Sequence, residues 1–365
     1  MNITIIGAGP VGSYAAYLFA KKGFKVHLFD RKKTNQIGKP VQCTGIFSSE
    51  IKKFVSLKED FLVNTTNHIQ IISPNNRILT LNKEEYVFNR EKFDKYLLDL
   101  AIKEGVKFHS EHKLTKIVKN SRNKIDLVFN NKNKTIVFSS NIVIGADGPL
   151  SLVYKYLNKN KKKKFYYGIQ AVINGKFDSK AYQVYFGKKV CSNFFSWVVP
   201  ESKTKARIGL ATKKAPKFYF DRFLQRLNIK QNQIIEKQGG IIPIFDSKIK
   251  TNHKNIFLLG DSASHLKATT GGGIIPAFQE ARNLVYRISK NKPYQSNFRN
   301  LKRHLLIRKI LNKFSDKDYD RLIYLLSKPR NKKIIETHSR ENPKKLIRKL
   351  IFQEPRLLSF VKYLF

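Results

Sequence analysis

The chain has two cysteines, Cys43 and Cys191, one tryptophan and one methionine among 365 residues. Two cysteines exclude a disulfide framework, and no Cys/His cluster has zinc-site spacing, so no metal is expected. No apolar run reaches the ~18–20 residues a membrane-spanning helix needs. Met1–Gly7 is too short and too poor in basic residues for a signal peptide, and it runs straight into a glycine loop. The expectation is a cytoplasmic chain in a reducing compartment, free or peripheral on the cytoplasmic membrane. Acidic residues are also scarce: 26 Asp+Glu stand against 71 Lys+Arg, a formal net charge of +45. Such an excess implies an anionic partner, unless it is the compositional bias of a chain rich in Lys, Asn and Ile. Signatures of RRM, KH or zinc-finger RNA binders are missing, so no nucleic acid is expected and an anionic membrane or a phosphate is favoured. The 41% hydrophobic content is ordinary for a globular protein and excludes wholesale disorder.

What is present is clearest at the N-terminus. Asn2–Ile6 reads as a strand, Gly7-Ala8-Gly9-Pro10-Val11-Gly12 as a turn, the residues through Ala20 as a helix, and Lys25–Phe29 as a second strand ending at Asp30. Gly7 permits the tight turn, Gly9 lets the backbone approach a pyrophosphate, and Gly12 allows close helix–strand packing. The helix N-terminus then faces phosphates and Asp30 can accept from a ribose, the dinucleotide-binding pattern. Pro10 inside the motif is commoner in FAD than in NAD enzymes.

Asn89–Ile102 has helical spacing, with Arg90 in its first turn. Ile117–Val118, Ile125–Phe129 and Thr135–Phe138 predict a three-stranded meander with Asn/Lys-rich turns. Asn141–Ile144 is a buried strand entering Gly145-Ala146-Asp147-Gly148, and Lys161–Lys164 a solvated loop. Residues 165–212 alternate aromatic and β-branched positions, which predicts an antiparallel sheet. Ile256–Leu259 opens into Gly260-Asp261, and Gly271, Gly272 and Gly273 precede a helix from about Ile275. Beyond Ser289 the chain is helical and basic.

The three glycine–acid turns, Gly7–Gly12 with Asp30, Asp147-Gly148 and Gly260-Asp261, resemble in order and spacing the aromatic-hydroxylase type of FAD-dependent oxidoreductases. The resemblance implies that Asp261 bonds the flavin ribityl chain and that Asp147-Gly148 lies by the phosphates. Arg90 would reach the FAD, in an Arg-x-x-Phe-Asp-x-x-Leu pattern with Phe93, Asp94 and Leu97. Within that group, Gly38-Lys39-Pro40-Val41-Gln42-Cys43-Thr44-Gly45 is similar to a loop of the geranylgeranyl reductases, which saturate isoprenoid double bonds. Lys267–Ile274, with Ile274 closing its glycine turn, and Phe195-Ser196-Trp197-Val198-Val199-Pro200 followed by Gly209 resemble two more segments of that family. The likeness covers roughly residues 1–290. Phe195 replaces a usual tyrosine, Val199 a phenylalanine and Ala268 a proline, and the first two would reshape the hydrophobic pocket.

The resemblance implies an α/β chain with an α+β substrate layer. A Rossmann-like FAD domain (1–60, 86–160, 240–290) would carry an inserted antiparallel-sheet substrate domain (61–85, 161–239), followed by a basic helical region (291–365). It implies a reductase that delivers hydride from flavin to a prenyl chain of a lipid, quinone or pigment precursor. A flavin monooxygenase or halogenase of the same superfamily is the alternative. Phe194, Phe195, Trp197 and Val199 are the candidate substrate wall, with Trp197 also a candidate in catalysis. Cys43 is a candidate catalytic and flavin-side residue, or a packing thiol that could pair with Cys191. Lys39 is a candidate for the flavin or a substrate phosphate, and His265 a proton donor or a cap.

The electron donor is open between NAD(P)H, a ferredoxin and a deazaflavin. An acidic carrier protein would suit the basic charge. Leu346, Ile347, Leu350 and Ile351, continued by Leu357, Leu358, Val361 and Leu364, line one face of an amphipathic tail beside Lys344, Lys345, Arg348 and Lys349. That tail is either a lipid-headgroup anchor or a lid packed on the substrate domain.

Overall fold

The computed structural model describes residues 1–119, 124–159 and 161–364. Its base is a six-stranded sheet in the order Asn252–His253, Ile256–Leu258, Ile142–Gly145, Asn2–Ile6, Lys25–Phe29, Lys107–His109. Its pairings are parallel except at the Asn252–His253 edge. Burial on both faces explains why its strands read as apolar runs rather than alternations. Ile3, Ile5, Val26, Leu28, Ile142 and Ile144 pack toward the helices Pro10–Ala20, Arg90–Lys103 and Ile274–Ser289. Ile6, Phe29, Val143 and Leu258 pack toward Leu114, Ile117, Leu127 and Phe129 of a three-stranded meander. That meander is the one the turn chemistry predicts, at Lys113–Lys119, Ile125–Asn131 and Lys134–Ser140.

The second layer is an eight-stranded sheet in the order Ile234–Pro243, Phe165–Asn174, Lys205–Thr212, Phe195–Pro200, Ala181–Tyr185, Leu62–Ile72, Ile78–Phe88, Ile46–Ser48. Two features differ from the sequence expectation. Ala181–Tyr185 runs parallel to Leu62–Ile72, so the sheet is mixed rather than wholly antiparallel. The sheet also extends past the expected limits, because Ile46–Ser48 and the stretch 240–243 are hydrogen-bonded into it. Both are edge segments whose side-chain pattern is silent about which neighbour they pair with.

The basic C-terminal region is helical, at Arg299–Lys313, Asp316–Leu326, Pro329–Thr337, Pro343–Gln353 and Pro355–Leu364. Phe314, Tyr319, Leu325 and Phe360 form its own small core, and it meets the body where Tyr319 stacks on Phe186 and where Ile323 and Ile335 pack on the large sheet.

Candidate active site

One cavity of about 1430 Å³ lies between the two sheets. Its lining joins the glycine turns of the parallel sheet to the aromatic face of the large sheet. Pockets for single drug-sized ligands run to about 300–1,000 Å³, so this larger space has room for a dinucleotide with a second molecule beside it.

The cradle at one end follows from backbone sterics. Gly7 has φ +102°, and a Cβ at Gly12 would run into the Gly7 carbonyl oxygen, so the helix can approach the strand only with glycine there. Gly9 caps the helix without a side chain, Pro10 occupies its first turn, and both line the cavity. The free N–H groups at that helix end suit a pyrophosphate. Asp30 accepts from the backbone N–H of Ala8 at 2.7 Å and of Lys32 at 2.8 Å, which fixes its carboxylate at the cavity wall. Asp147 accepts from Ser151 Oγ at 2.5 Å and from the Leu152 N–H at 2.8 Å. It thereby caps the helix Leu152–Leu157 while still lining the cavity with Gly148. These residues fit the group that the three turns imply.

Asp261 lines the same space with Gly271, Gly272, Gly273 and Ile274. Burial raises its pKa, opposed by Lys163 and Arg90. Lys163 donates to the carbonyls of Pro149, Asp261 and Ser262 at 3.3, 2.9 and 2.7 Å, and burial lowers its pKa to about 8. It ties the second and third turns together. Gly260 is buried beside Val11 rather than among the lining residues.

The loop 38–45 closes over this end, with Gly38, Gln42, Cys43, Thr44 and Gly45 lining the cavity. Arg207, buried on the strand Lys205–Thr212, anchors it. Its Nη1 donates to the carbonyls of Thr44 (2.5 Å) and Phe88 (3.0 Å), and its Nε to Glu201 at 2.6 Å. The Cys43 Sγ accepts from the Gly45 N–H at 3.4 Å, and the Arg90 side chain packs against the same glycine. Arg90 is clamped by both oxygens of Asp94 at 3.0–3.1 Å. Burial opposes its charge, but the Asp94 carboxylate outweighs it and holds Arg90 firmly protonated.

Phe194, Phe195 and Trp197 lie together on one face. Phe194 and Phe195 stack at 4.3 Å, and Trp197 meets Phe195 edge-on at 6.0 Å. All three, with Val199, line the cavity. Trp197 pairs across the sheet with Gly209, where a Cβ would come within 2.8 Å of the indole, so the glycine makes room for the tryptophan. The buried indole N–H has no hydrogen-bond partner among the described residues.

Several candidates lie elsewhere. Lys39 pairs with Glu91 at 3.0 Å, is half exposed, and is not among the lining residues. His265 is fully buried beneath the third turn, also outside the lining; burial lowers its pKa to about 3, which keeps it neutral. Cys191 is buried beneath the sheet, donating to the Ala211 carbonyl at 2.9 Å, and both cysteines are free thiols.

Other lining residues carry no motif. Thr44 donates to Gln170 and Gln170 to Gln238, a polar chain along the cavity edge. Ile69, Ile71, Leu81, Tyr182 and Val184 extend the apolar wall. Arg308 in the tail donates to the carbonyls of Ala268 (2.9 Å) and Thr269 (2.6 Å) and lies over Phe194 at 4.6 Å. For the strand residues among these the only sequence signal is same-face alternation, which means little until strand pairing is known; Arg308, on the helix Arg299–Lys313, stands behind the lining.

Comparison with known proteins bears on this geometry. A family profile described as FAD binding domain matches residues 1–195. Digeranylgeranylglycerophospholipid reductase 1 of Methanococcoides burtonii is 30% identical, over 75% of this chain and 70% of its own. The chain belongs to this FAD-binding reductase family. It is an FAD-dependent oxidoreductase, and its cofactor is FAD. A relative named digeranylgeranylglycerophospholipid reductase, from Methanocaldococcus jannaschii, is 27% identical over 99% of this chain and 97% of its own. The family likeness therefore runs through the basic tail instead of stopping near residue 290. The fold is shared with a geranylgeranyl bacteriochlorophyll reductase-like protein of Thermoplasma acidophilum, at TM-score 0.85 and 22% identity, covering 100% of this chain and 99% of that one. A flavin-dependent halogenase shares it more distantly, at TM-score 0.66 and 17% identity, covering 98% and 71%.

Proposed function

We propose that this family member saturates carbon–carbon double bonds of geranylgeranyl chains carried by a glycerophospholipid or related prenyl compound. The observation that carries this reading is the single cavity, in which the FAD cradle opens directly onto an apolar aromatic wall. FAD, when bound and reduced, supplies the hydride. The chain's own residues do the rest. Ile69, Ile71, Leu81, Val184 and Val199 exclude water and align an extended hydrocarbon. The faces of Phe195 and Trp197 favour partial positive charge on the more substituted alkene carbon. We assign to Cys43 Sγ, beside Arg90, the proton that completes the addition.

The tail supplies both roles its amphipathic pattern allows. Leu346 and Ile335 line the cavity, a lid role. On the same helix Phe352 is 90% exposed, and Leu358 and Val361 beyond it are also exposed. With Lys344, Lys345, Arg348 and Lys349 exposed beside them, this face suits an anionic bilayer, where prenyl lipids reside. Among the described residues no helix is long and apolar enough to cross a membrane.

The test is anaerobic mixing of chemically reduced holoenzyme with a geranylgeranylated glycerophospholipid, following flavin absorbance. Reoxidation without oxygen is the expected result. Flavin that stays reduced until oxygen is admitted, with lipid-stimulated oxygen uptake, would indicate oxygenase chemistry instead.

A further inference from the structure

The run Lys161–Lys164 reads in the sequence as a solvated loop, and Lys161, Lys162 and Lys164 are indeed exposed. Lys163 turns inward instead. Its ammonium passes over the Tyr154 ring at 4.2 Å and ends behind the cavity wall, on the carbonyls of Pro149, Asp261 and Ser262. The strands that lead into these turns stop pairing at Gly145 and Leu258. Past that point the turns are bridged by Ser262 Oγ, which donates to the Gly145 carbonyl, and by the Lys163 ammonium. Each turn carries an acid that lines the cavity, Asp147 on the second and Asp261 on the third. Three carbonyl acceptors call for three N–H donors, which an ammonium has and a neutral amine lacks. Burial lowers the Lys163 pKa to about 8, with Asp261 and then Asp147 resisting. The other groups around it are few. Tyr154 faces it with its ring and donates its hydroxyl to the Lys161 carbonyl. His265 beneath the third turn is kept neutral by burial and then by this ammonium, and Arg90 acts on Asp261 as a second cation.

We propose that Lys163 is a positioning residue for FAD: its protonated head sets the spacing of the Asp147 and Asp261 turns, and FAD is held tightly only while that head is an ammonium. The inference concerns the cofactor and goes beyond the prenyl-reductase reading without depending on it. Loss of the proton would turn a lone pair toward a carbonyl and remove a positive charge behind a cradle that receives two phosphates. The pyrophosphate of FAD favours the ammonium and so raises the lysine pKa further. By linkage, FAD affinity is then complete below about pH 8 and falls as pH rises above it.

Holoenzyme is dialysed to equilibrium against graded FAD from about pH 6.5 to about pH 9.5, and bound flavin is read by absorbance. The dissociation constant should be level to about pH 7.5 and about tenfold higher at the alkaline end, as for one pKa unit of coupling. Lys163→Arg stays charged throughout and should vary by less than about threefold across the range. Lys163→Gln should bind FAD about tenfold more weakly at about pH 7, as for lost hydrogen bonds from a charged group, and show no further rise. A level wild-type profile, which needs no variant to fold, would overturn the proposal. A rise in Lys163→Gln or Lys163→Arg parallel to wild type, or wild-type affinity in Lys163→Gln at about pH 7, would overturn it too. No lipid enters the measurement, so failure of alkene reduction counts against the proposed reaction and leaves this result standing.

Discussion

At the scale of single residues, the FAD cradle and the chemistry opposite it make separable predictions. Gly12→Ala forces a Cβ against the Gly7 carbonyl, so the variant should purify with little FAD and a lowered melting temperature. Cys43→Ala removes the weak contact to the Gly45 N–H but leaves the glycine turns, Asp30, Asp147 and Asp261 in place. It should keep near-normal flavin content and lose turnover by about a hundredfold or more, the lower range for removing a proton-transfer group. Unchanged turnover with full flavin would remove Cys43 from the mechanism. The glycine–acid turns were legible in the sequence because their constraints are local: a tight turn, a close approach and an acid at fixed spacing. Lys83 and Arg340 were not. Each is one basic residue among 71, and only the pairing of strands and the path of the tail bring them into one cavity lining. Lys39 shows the converse, since its motif position suggested the flavin while Glu91 holds it at the surface.

At the scale of elements, the tail is where pattern alone left two roles open. Amphipathic spacing cannot say which face of a helix meets the body and which meets a partner, and here the two divide along one helix. Leu346 faces the cavity and Phe352 solvent. Replacing Phe352 and Leu358 together by Ser should reduce co-sedimentation with anionic vesicles by about tenfold, each losing part of the ~1.5–3 kcal/mol of a buried apolar side chain. Thermal stability should hold, because both are exposed; undiminished sedimentation would refute docking by this face. Arg308→Met acts on another element. It frees the Ala268 and Thr269 carbonyls and should loosen the loop next to Phe194, seen as weaker flavin retention. The large sheet was legible as a sheet, but its parallel pairing of Ala181–Tyr185 with Leu62–Ile72 joins segments over a hundred residues apart. Local periodicity carries no record of such a partner.

At the scale of the whole molecule, buried histidines set the response to acid. Burial lowers the pKa values of His109 and His304 to about 4 and of His265 to about 3, from 6.5. At these three sites the native chain therefore binds fewer protons than the unfolded chain between those values and 6.5. Their contribution to stability rises with pH through that window and is lost as pH falls from about 6.5 toward 3–4, while the raised pKa values of Asp94, Asp147 and Asp261 act in the opposite sense. Urea midpoints at about pH 7 and pH 5 should show the loss, and His265→Leu should lessen it; an equal loss in the variant would place the effect elsewhere. The central claim concerns the cavity as a unit, with FAD at one end and a prenyl chain along the other. The most direct measurement is the mass of a geranylgeranylated glycerophospholipid after anaerobic incubation with chemically reduced holoenzyme. A gain of two hydrogens per double bond is the predicted result. An unchanged lipid mass, from protein whose FAD is bound and reduced, would contradict the account.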